Sequence, residues 1–330
     1  MTALLITVDT ELSALLHQRG VALDANVASS IWGRHGQASG QDVGIGWQMD
    51  MLDRHGLKGV FFLDPLPALV HGPDFLRPIV SAILGRGHEV QLHAHTEWLA
   101  WADKSPVKGR QGRNIGDFSL DHQIVLLDLG RTMLEQAGAA SITAFRAGNY
   151  GANDDTLRAL AAIGLSWDSS VNPAYLGSGC DIGLPSDLIG PTRRLGAAEL
   201  PISGIADRPG GFRPAQVCAM SAREMAAGLR HAARHGHDSF VVVTHSFEML
   251  SRDRKRPNRT VMRRFEQLCR LAQRLPEVRS SGFADLPPDL PERGAARELT
   301  RVAPDRLRTV QRMVEQAWAT WRYERRAAPA

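Results

Sequence analysis

The stretch Gly87-His88-Glu89-Val90-Gln91-Leu92-His93-Ala94-His95-Thr96-Glu97-Trp98 contains a helix stop, a short extended run and a group of polar side chains. Gly87 follows the helix-patterned segment 75–86, and glycine commonly comes just after the last turn of a helix. The run 90–95 is short and bounded by turn residues, which predicts a strand. The stretch therefore predicts a helix followed by a strand whose carboxyl end carries potential ligands.

Two histidines at this strand end have a spacing that suits a metal ion. In an extended chain, side chains two residues apart point to the same face, so His93 and His95 can aim at one ion. If the chain instead curls after His93, Glu97 becomes the partner, because residues four apart share one face of a helix. A strand that merely contains histidines is the alternative interpretation.

The succession of helix and strand recurs along the chain. Runs such as 60–63 and 240–243 are continuously apolar, as expected for parallel strands with both sheet faces covered. Most gaps between such runs can hold a helix, so the sequence predicts an α/β fold with a parallel sheet. The predicted strands are 4–8, 59–63, 90–95, 144–147, 165–168, 199–202 and 240–244, and the predicted helices are 45–55, 75–86, 121–137, 153–163, 221–235 and 259–274.

Two regions depart from this repeat. Residues 171–214 are rich in Gly, Pro, Asp and Ser, which predicts loops over one face of a barrel. After residue 288, apolar residues at helical intervals predict a separate helix, so we expect a barrel over 1–288 and a helical C-terminal extension over 289–330. We expect this helix to pack back onto the domain, with a membrane-surface or partner-binding helix as the alternative. The residues on which this rests are Leu307, Val310, Val314, Ala317 or Trp318, Trp321 and Tyr323.

Composition limits the class of protein. The 330 residues are 43% hydrophobic and 22% charged, close to soluble averages, and no run approaches the roughly 20 apolar residues of a membrane helix. The net charge is +4, and basic residues are concentrated after residue 251. We interpret them as a solvated helical face, with binding to nucleic acid or anionic lipid as the alternative. No recognisable nucleic-acid motif occurs, so no nucleic-acid partner is expected.

The N-terminus and the cysteines favour a cytoplasmic protein. Residues 1–9 lack a basic region and a small-residue cleavage site, so they are interpreted as the first strand rather than as an export signal. Cys180, Cys218 and Cys269 lie far apart, without a CxxC pair, which is typical of a reducing compartment.

Polar residues follow several different strands. Asp9 and Glu11 end the first strand, Arg146 lies in the fourth, Asp168 ends the fifth and His245 ends a later one. The carboxyl ends of barrel strands are where active sites are built, whereas residues placed for stability have no preference for that edge. The sequence therefore predicts an active site there.

Five short motifs within 7–245, in this order, resemble the metal-dependent polysaccharide deacetylases, also called carbohydrate esterase family 4. The resemblance implies a distorted (β/α) barrel of seven or eight strands. The family's first motif usually reads Thr-Phe-Asp-Asp, and here it reads Thr7-Val8-Asp9-Thr10-Glu11. It implies Asp9 as catalytic base, and Glu11 as the substitute for the metal-binding Asp, as in branches with an Asp-x-Glu opening.

The second motif of the family is usually His-x-x-x-His. His93 matches its first histidine, Glu97 stands where the second would be, and His95 is an additional candidate. We favour His93 and His95 as ligands beside Glu11, with Glu97 as the alternative ligand.

The remaining motifs supply the other catalytic groups that the resemblance implies. Arg146 orients the catalytic aspartate, and Asn149 or Tyr150 provides the N–H of the oxyanion hole, although the family's usual Pro-Tyr pair is absent. Asp168 holds the catalytic histidine, and His245 is the general acid. Aromatic residues near these motifs, Trp98, Trp101, Tyr150 and Trp167, suit sugar stacking and core packing equally well.

Amide hydrolysis needs a metal to polarise the carbonyl and acidify water, together with a separate base and acid. The expected activity is removal of an acyl group, with N-acetyl as the leading case, from a sugar or saccharide conjugate. The expected cofactor is one divalent metal ion, with zinc as the default for mixed nitrogen and oxygen ligands. The missing export signal favours a nucleotide-linked or lipid-linked acetamido sugar over cell-wall polymer as substrate.

Two alternatives stay open at this point. A hydrolase of another non-peptide C–N bond, such as a ureide ring (allantoinase-like), fits the same motifs. The departures at Thr10 and Glu97 also fit a degenerate barrel that binds carbohydrate without cleaving it.

Overall fold

The sheet is built around a strand that is buried along its whole length. The computed structural model describes residues 1–35, 42–287 and 299–324. In it all nine residues of Thr2–Thr10 are buried, as a strand covered on both faces requires. The strands are β1 (Thr2–Thr10), β2 (Gly59–Leu63), β3 (Glu89–Ala94), β4 (Ala144–Ala147), β5 (Trp167–Asp168), β6 (Thr192–Arg194), β7 (Ala197–Glu199), β8 (Gly204–Ile205), β9 (Arg213–Pro214), β10 (Ser239–His245) and β11 (Val278–Ser280).

Helices occupy most of the gaps between the parallel strands, as predicted. They are α1 (Ala14–Gln18), α2 (Leu23–Ser30), α3 (Ile45–Arg54), α4 (Ala68–His71), α5 (Leu76–Leu84), α6 (Leu120–Gln136), α7 (Asp154–Ala162), α8 (Ala222–Arg234), α9 (Arg259–Arg274) and α10 (Arg306–Ala319), with short 3₁₀ turns at Thr96–Ala100, Ile115–Asp117, Gly148–Tyr150 and Phe283–Asp285. Gly87, which ends the connection after α5, has φ 76°, a left-handed conformation that glycine adopts without steric cost. The six predicted helices are present within two residues of their predicted ends.

The strands form a curled, incompletely closed sheet. Its order is β10-β1-β2-β3-β4-β5-β7-β6, and β11 pairs with the first residues of β1. The pairings are parallel except for β6, which runs antiparallel to β7 as a short edge hairpin. The predicted distorted (β/α) barrel is confirmed. The antiparallel edge, β11 and the separate β8–β9 pair were not predicted from the sequence.

Irregular chain closes the gap between β7 and β10. The Ser203 N–H donates to the carbonyl of Val241 at 3.2 Å, and the Val217 N–H donates to the carbonyl of Val243 at 3.0 Å. Residues in 171–214, predicted as loops, thus contribute short strands and these bridging contacts as well as loops. The Ser203 bond pairs part of this backbone with β10 even though the run lacks a long strand.

Side chains alternate between the two faces of β1. Leu4, Ile6 and Val8 belong to the outer core beneath the helices, whereas Ala3 and Leu5 belong to the core inside the curl. This period of two places Asp9 on the inner face. Strand register then sets Asp9 beside His245 of β10 and His93 beside Arg146 of β4.

The C-terminal helix predicted from the sequence is present as α10, but its orientation differs from the expectation. Ala319 and Tyr323 are buried against the barrel, whereas the side chains of Trp318 and Trp321 are 50% and 55% exposed. The prediction that the apolar residues of this helix pack back onto the domain is therefore wrong for Trp318 and Trp321. The predicted boundary at 288–289 lies outside the described residues. Among the described helices, none is both long and apolar enough to cross a bilayer.

Candidate active site

A cavity of about 400 Å³ opens at the carboxyl edge of the sheet. Seven of the ten predicted site residues line it, namely Asp9, Glu11, His93, His95, Asn149, Tyr150 and His245. The other three, Arg146, Asp168 and Glu97, lie outside its lining. Neighbouring parallel strands all end at this edge, which is why residues up to 236 positions apart meet there.

Three potential ligand atoms converge in the cavity. Glu11, His93 and His95 each offer one atom, and these atoms lie within 4.8 Å of one another. The Glu11 Oε2 atom is 3.2 Å from His93 Nε2 and 2.5 Å from His95 Nε2. Two imidazole nitrogens and one carboxylate oxygen are a donor set that zinc accepts.

Each histidine is oriented by a second hydrogen bond. The Nδ1–H of His93 donates to the carbonyl oxygen of Arg146 at 2.6 Å, and the Nδ1–H of His95 donates to Glu97 Oε2 at 2.9 Å. Both bonds leave Nε2 turned toward Glu11. Carbonyl and carboxylate partners of this kind fix the tautomer of metal-binding histidines. Glu97 thus lies behind His95, not among the convergent atoms.

The charges of these groups influence one another. Burial alone would raise the pKa of Glu11, but the charge of His95 and hydrogen bonds from both histidines hold it well below its usual range. Burial would lower the pKa of His95, and Glu11 and Glu97 together raise it well above its usual range. Glu11 is therefore kept as the carboxylate, the form that binds a cation.

A glycine makes room for His95. A Cβ atom on Gly148 would lie 2.7 Å from the carbonyl oxygen of Ala94 and 2.8 Å from the His95 ring. Only a residue without a side chain fits this approach of β3 to the turn after β4. Gly148 therefore supports the position of the His95 imidazole.

Asp9 is held from beneath by a buried arginine. Arg146 has no exposed surface, and its Nη1 donates to Asp9 Oδ1 at 2.6 Å and to the Thr7 hydroxyl at 2.8 Å. Its other nitrogens donate to the carbonyl and hydroxyl of Ser169, both at 3.1 Å, and its guanidinium lies over the Phe62 ring. This set of partners fixes one carboxylate oxygen of Asp9 and leaves Oδ2 facing His245 Nε2 at 3.9 Å.

The carboxylate that holds His245 is Glu248, not Asp168. His245 Nδ1 donates to Glu248 Oε1 at 2.8 Å, and the other oxygen of Glu248 accepts from the Thr244 hydroxyl at 2.9 Å. Burial would lower the pKa of His245, but Glu248 first, and then the charges of Asp9 and Glu11, raise it to about 9. The contact with His245 that was predicted for Asp168 is thus made by Glu248, three positions after the histidine.

Asp168 has a different set of contacts. Its Oδ1 accepts from the Ser170 hydroxyl at 2.6 Å, and that hydroxyl accepts from the Ala147 N–H at 2.9 Å. Burial raises the pKa of Asp168, and burial together with the Asp168 charge raises the pKa of Glu199 well above its usual range. Asp168 therefore stabilises the backbone near the site, beside the Glu199 carboxyl group, whose protonated form is favoured by burial and by the neighbouring charge.

The residues predicted near the oxyanion lie in a strained turn. Asn149 and Tyr150 both have φ 56°, a left-handed conformation that is uncommon outside glycine. Such conformations cluster at functional sites, where the surrounding structure maintains them. The Tyr150 ring stacks on Tyr175 with centroids 5.3 Å apart, and both line the cavity.

The predicted aromatic residues divide between the core and the cavity. Trp98 and Trp167 are buried in the core, and Trp101 packs against Trp98. Tyr150 alone of the four predicted aromatic residues lines the cavity.

Sequence reasoning missed three charged residues. Glu248 had a recognisable signal, because a carboxylate three positions after a strand-end histidine lies one turn away. Asp64, which follows β2, is buried, and although His95 and His93 oppose the effect, burial raises its pKa to about 6. Arg113 lines the cavity from the long connection between β3 and α6, and no local pattern pointed to it.

Comparison with solved structures relates the fold to known proteins. A Mycobacterium smegmatis protein with the provisional name polysaccharide deacetylase is 19% identical, with 86% of this chain and 88% of that one covered and a TM-score of 0.54. A family 4 carbohydrate esterase from Streptomyces lividans, in complex with acetate, is 13% identical over 92% of this chain and 98% of its own, with a TM-score of 0.41. The 4-alpha-glucanotransferase of Thermococcus litoralis is 9% identical over 86% of this chain and 39% of its own, with a TM-score of 0.48.

The first of these likenesses shows a shared fold and confirms the predicted deacetylase-type barrel. No protein-family model matches the chain, and no curated protein sequence matches it.

Proposed function

We propose that the protein is a metal-dependent hydrolase that removes an acyl group, with N-acetyl as the expected group, from a saccharide. The observation that carries the proposal is the convergence of Glu11, His93 and His95 in the cavity that also holds the facing pair Asp9 and His245. The fold shared with the Mycobacterium smegmatis protein, whose provisional name is polysaccharide deacetylase, supports the same reaction class.

The donor set fits one divalent metal ion, and zinc is the expected one. The residues that would hold it are Glu11 through Oε2 and His93 and His95 through Nε2, with Glu97 supporting His95. Three protein ligands leave a coordination position open, as catalytic zinc sites require. When bound, the ion supplies Lewis-acid polarisation of the carbonyl and lowers the pKa of water.

Asp9 is assigned the role of base. Its Oδ1 is fixed by Arg146 at 2.6 Å, and its Oδ2 faces the cavity, so one oxygen is available to take a proton from water. The arginine keeps the carboxylate in a single orientation, which a general base needs for efficient proton transfer.

His245 is assigned the role of acid. Because Nδ1–H is held by Glu248, Nε2 points toward Asp9 and the cavity. A pKa of about 9 keeps the imidazole protonated near neutral pH, so that Nε2–H can be delivered to the departing nitrogen. Base and acid thus lie on neighbouring strands, 3.9 Å apart.

The pH profile of activity tests the assignment of Glu248. Glu248→Gln removes the charge that raises the pKa of His245 from 6.5 to about 9, so the pKa should fall toward 6.5. Since the acid must be protonated, we expect the alkaline limb of the kcat profile to move to lower pH by one unit or more, on the order of the pKa shift that one buried charge produces. Asp168→Asn is the matched control and should leave that limb in place. If the alkaline limb moved in Asp168→Asn and not in Glu248→Gln, Asp168 would be the carboxylate that supports His245.

Acetate release tests the reaction itself. We expect the zinc-loaded protein to release acetate from N-acetylglucosamine oligomers or from a nucleotide-linked N-acetyl sugar, and His93→Ala to release none above background. Acetate is measured by a coupled enzymatic assay, with ring opening of allantoin to the open-chain ureido acid measured in parallel. Ring opening without acetate would move the activity to another C–N bond, and saccharide binding without either product would favour a binding protein.

A further inference from the structure

The C-terminal helix α10 is attached to the barrel through polar contacts. Arg312 Nε donates to Glu224 Oε1 of α8 at 3.0 Å, and Arg264 Nε of α9 donates to Glu315 Oε1 at 2.9 Å. Glu224 is itself fixed, since its Oε2 accepts from the Ser221 N–H at 2.9 Å in the cap of α8. These ion pairs determine which face of α10 is turned toward the domain.

The opposite face of α10 carries large apolar side chains in solvent. Their spacings of three and four residues place them on one stripe about 21 Å long, at roughly 1.5 Å per residue. Their exposed fractions run from 50% for Trp318 to 83% for Leu307. They are half of the twelve large hydrophobic residues that are exposed in the described ranges, so the exposure is concentrated, not scattered. The apolar stripe consists of Leu307, Val310, Met313, Val314, Trp318 and Trp321.

Positive charge borders this apolar stripe. Arg306 at one end and Arg322 at the other are exposed. The loop 251–257, with four cationic residues and one carboxylate, adjoins the second end, where the Arg252 N–H donates to the carbonyl of Tyr323 at 3.1 Å. Glu315, the acidic residue within α10, is already paired with Arg264. Asp305 and Glu324 place one acidic residue at each end, and Asp305 accepts from the Arg308 N–H in the cap of α10. The loop 251–257 and Arg322 leave the second end with an excess of positive charge.

We propose that the apolar stripe of α10 binds the surface of a bilayer that contains anionic lipid. Aliphatic side chains would enter the boundary between headgroups and acyl chains, and the two tryptophans suit that depth because their rings are amphipathic. The arginines at both ends would contact negatively charged headgroups. The helix would lie along the surface, held by one face to the barrel and by the other to lipid.

The charge distribution favours lipid over a second copy of this chain. A two-fold dimer through the stripe would pair identical helices, and an antiparallel pairing would bring Arg306 of one copy toward Arg322 and the loop 251–257 of the other. Although Asp305 and Glu324 lie at these ends as well, the positive excess of the loop 251–257 would meet Arg306 at both ends of the contact. An anionic surface meets the same charges with the opposite sign.

Vesicle sedimentation tests the proposal independently of any enzymatic activity. The full-length protein is mixed with vesicles of phosphatidylcholine alone or of phosphatidylcholine with phosphatidylglycerol, at low and physiological salt. We expect it to sediment with the anionic vesicles, less so as salt rises, and to remain in the supernatant with phosphatidylcholine alone. A blue shift of tryptophan emission should accompany binding.

Two matched variants locate the contact. Leu307→Gln/Val310→Gln/Val314→Gln should reduce the bound fraction on the order of tenfold, because lipid affinity scales with the apolar area that is buried. Leu15→Gln/Val125→Gln changes exposed residues of the barrel and should bind as the wild type does. Equal binding by both variants, or no binding of the wild type to anionic vesicles, would overturn the proposal. A wild-type dimer in sedimentation equilibrium that the triple variant loses, without vesicle binding, would assign the stripe to a second copy.

Discussion

We expect zinc to be lost when Glu11, His93 or His95 is replaced by alanine. Each supplies one of three atoms that lie within 4.8 Å of one another, so each variant leaves only two protein ligands. Catalytic zinc sites are ordinarily built from three, and the metal content should fall from about one ion per chain to near zero after dialysis. Elemental mass spectrometry of the purified proteins measures this directly, and acetate release should disappear with the metal.

Glu97→Gln is the informative comparison for this series. Glu97 contacts Nδ1 of His95 at 2.9 Å and lies behind the three converging atoms. Its amide can still accept that hydrogen bond, so we expect the variant to keep zinc with an affinity weakened about 10- to 100-fold. His122→Ala, a change on α6, controls for the loss of a histidine. If Glu97→Gln loses zinc completely and His95→Ala retains it, Glu97 is the ligand and His95 is not.

Replacing Arg146 by methionine is expected to destabilise the protein strongly. Arg146 and Asp9 are both buried, and removal of the guanidinium leaves the Asp9 carboxylate without its charged partner. Breaking a buried ion pair in this way costs about 3–5 kcal/mol of the free energy of unfolding. Urea unfolding followed by circular dichroism measures the loss.

A double-mutant cycle separates this effect from the loss of packing. Asp9→Asn/Arg146→Met contains neither charge, so it should be destabilised by less than the sum of the two single variants. Activity should not recover with stability, since Asp9→Asn removes the proposed base and should by itself lower kcat about 10²- to 10⁴-fold. If the double variant lost as much free energy of unfolding as the two single variants together, the pairing of the two charges would not be the cause of the destabilisation. If it were active, Asp9 would not be the base.

The sequence alone predicted where the candidate site lies, because strand ends are visible as local patterns. Continuous apolar runs mark buried parallel strands, and the residue after each run lies at the carboxyl edge whatever the details of the fold. Asp9 and His245 were placed in this way. Their contact follows from the parallel register of β1 and β10.

The conformation of the backbone decides whether His95 or Glu97 lies beside Glu11 and His93. Position 95 is extended, with φ −102° and ψ 100°, and a 3₁₀ turn begins at Thr96. The chain is therefore straight through both histidines and bends only after them. The extended and the curled conformation considered from the sequence therefore both occur, one after the other. The turn that begins at Thr96 brings Glu97 to the Nδ1 side of the His95 ring.

Only the tertiary structure could decide between Asp168 and Glu248 as the partner of His245, and only it could show which face of α10 is exposed. Glu248 lies three positions after His245 and contacts it locally, whereas Asp168, at the end of β5, is held by Ser170 instead. The spacing of Glu248 was visible in the sequence, but the absence of a contact from Asp168 to His245 depends on how β5 packs relative to β10. The apolar residues at helical intervals predicted α10 correctly. The ion pairs of Arg312 and Glu315 with other helices, however, leave these apolar side chains on the face turned to solvent. Local periodicity specifies which residues share a face, whereas the direction of that face is determined by partners far away in the sequence.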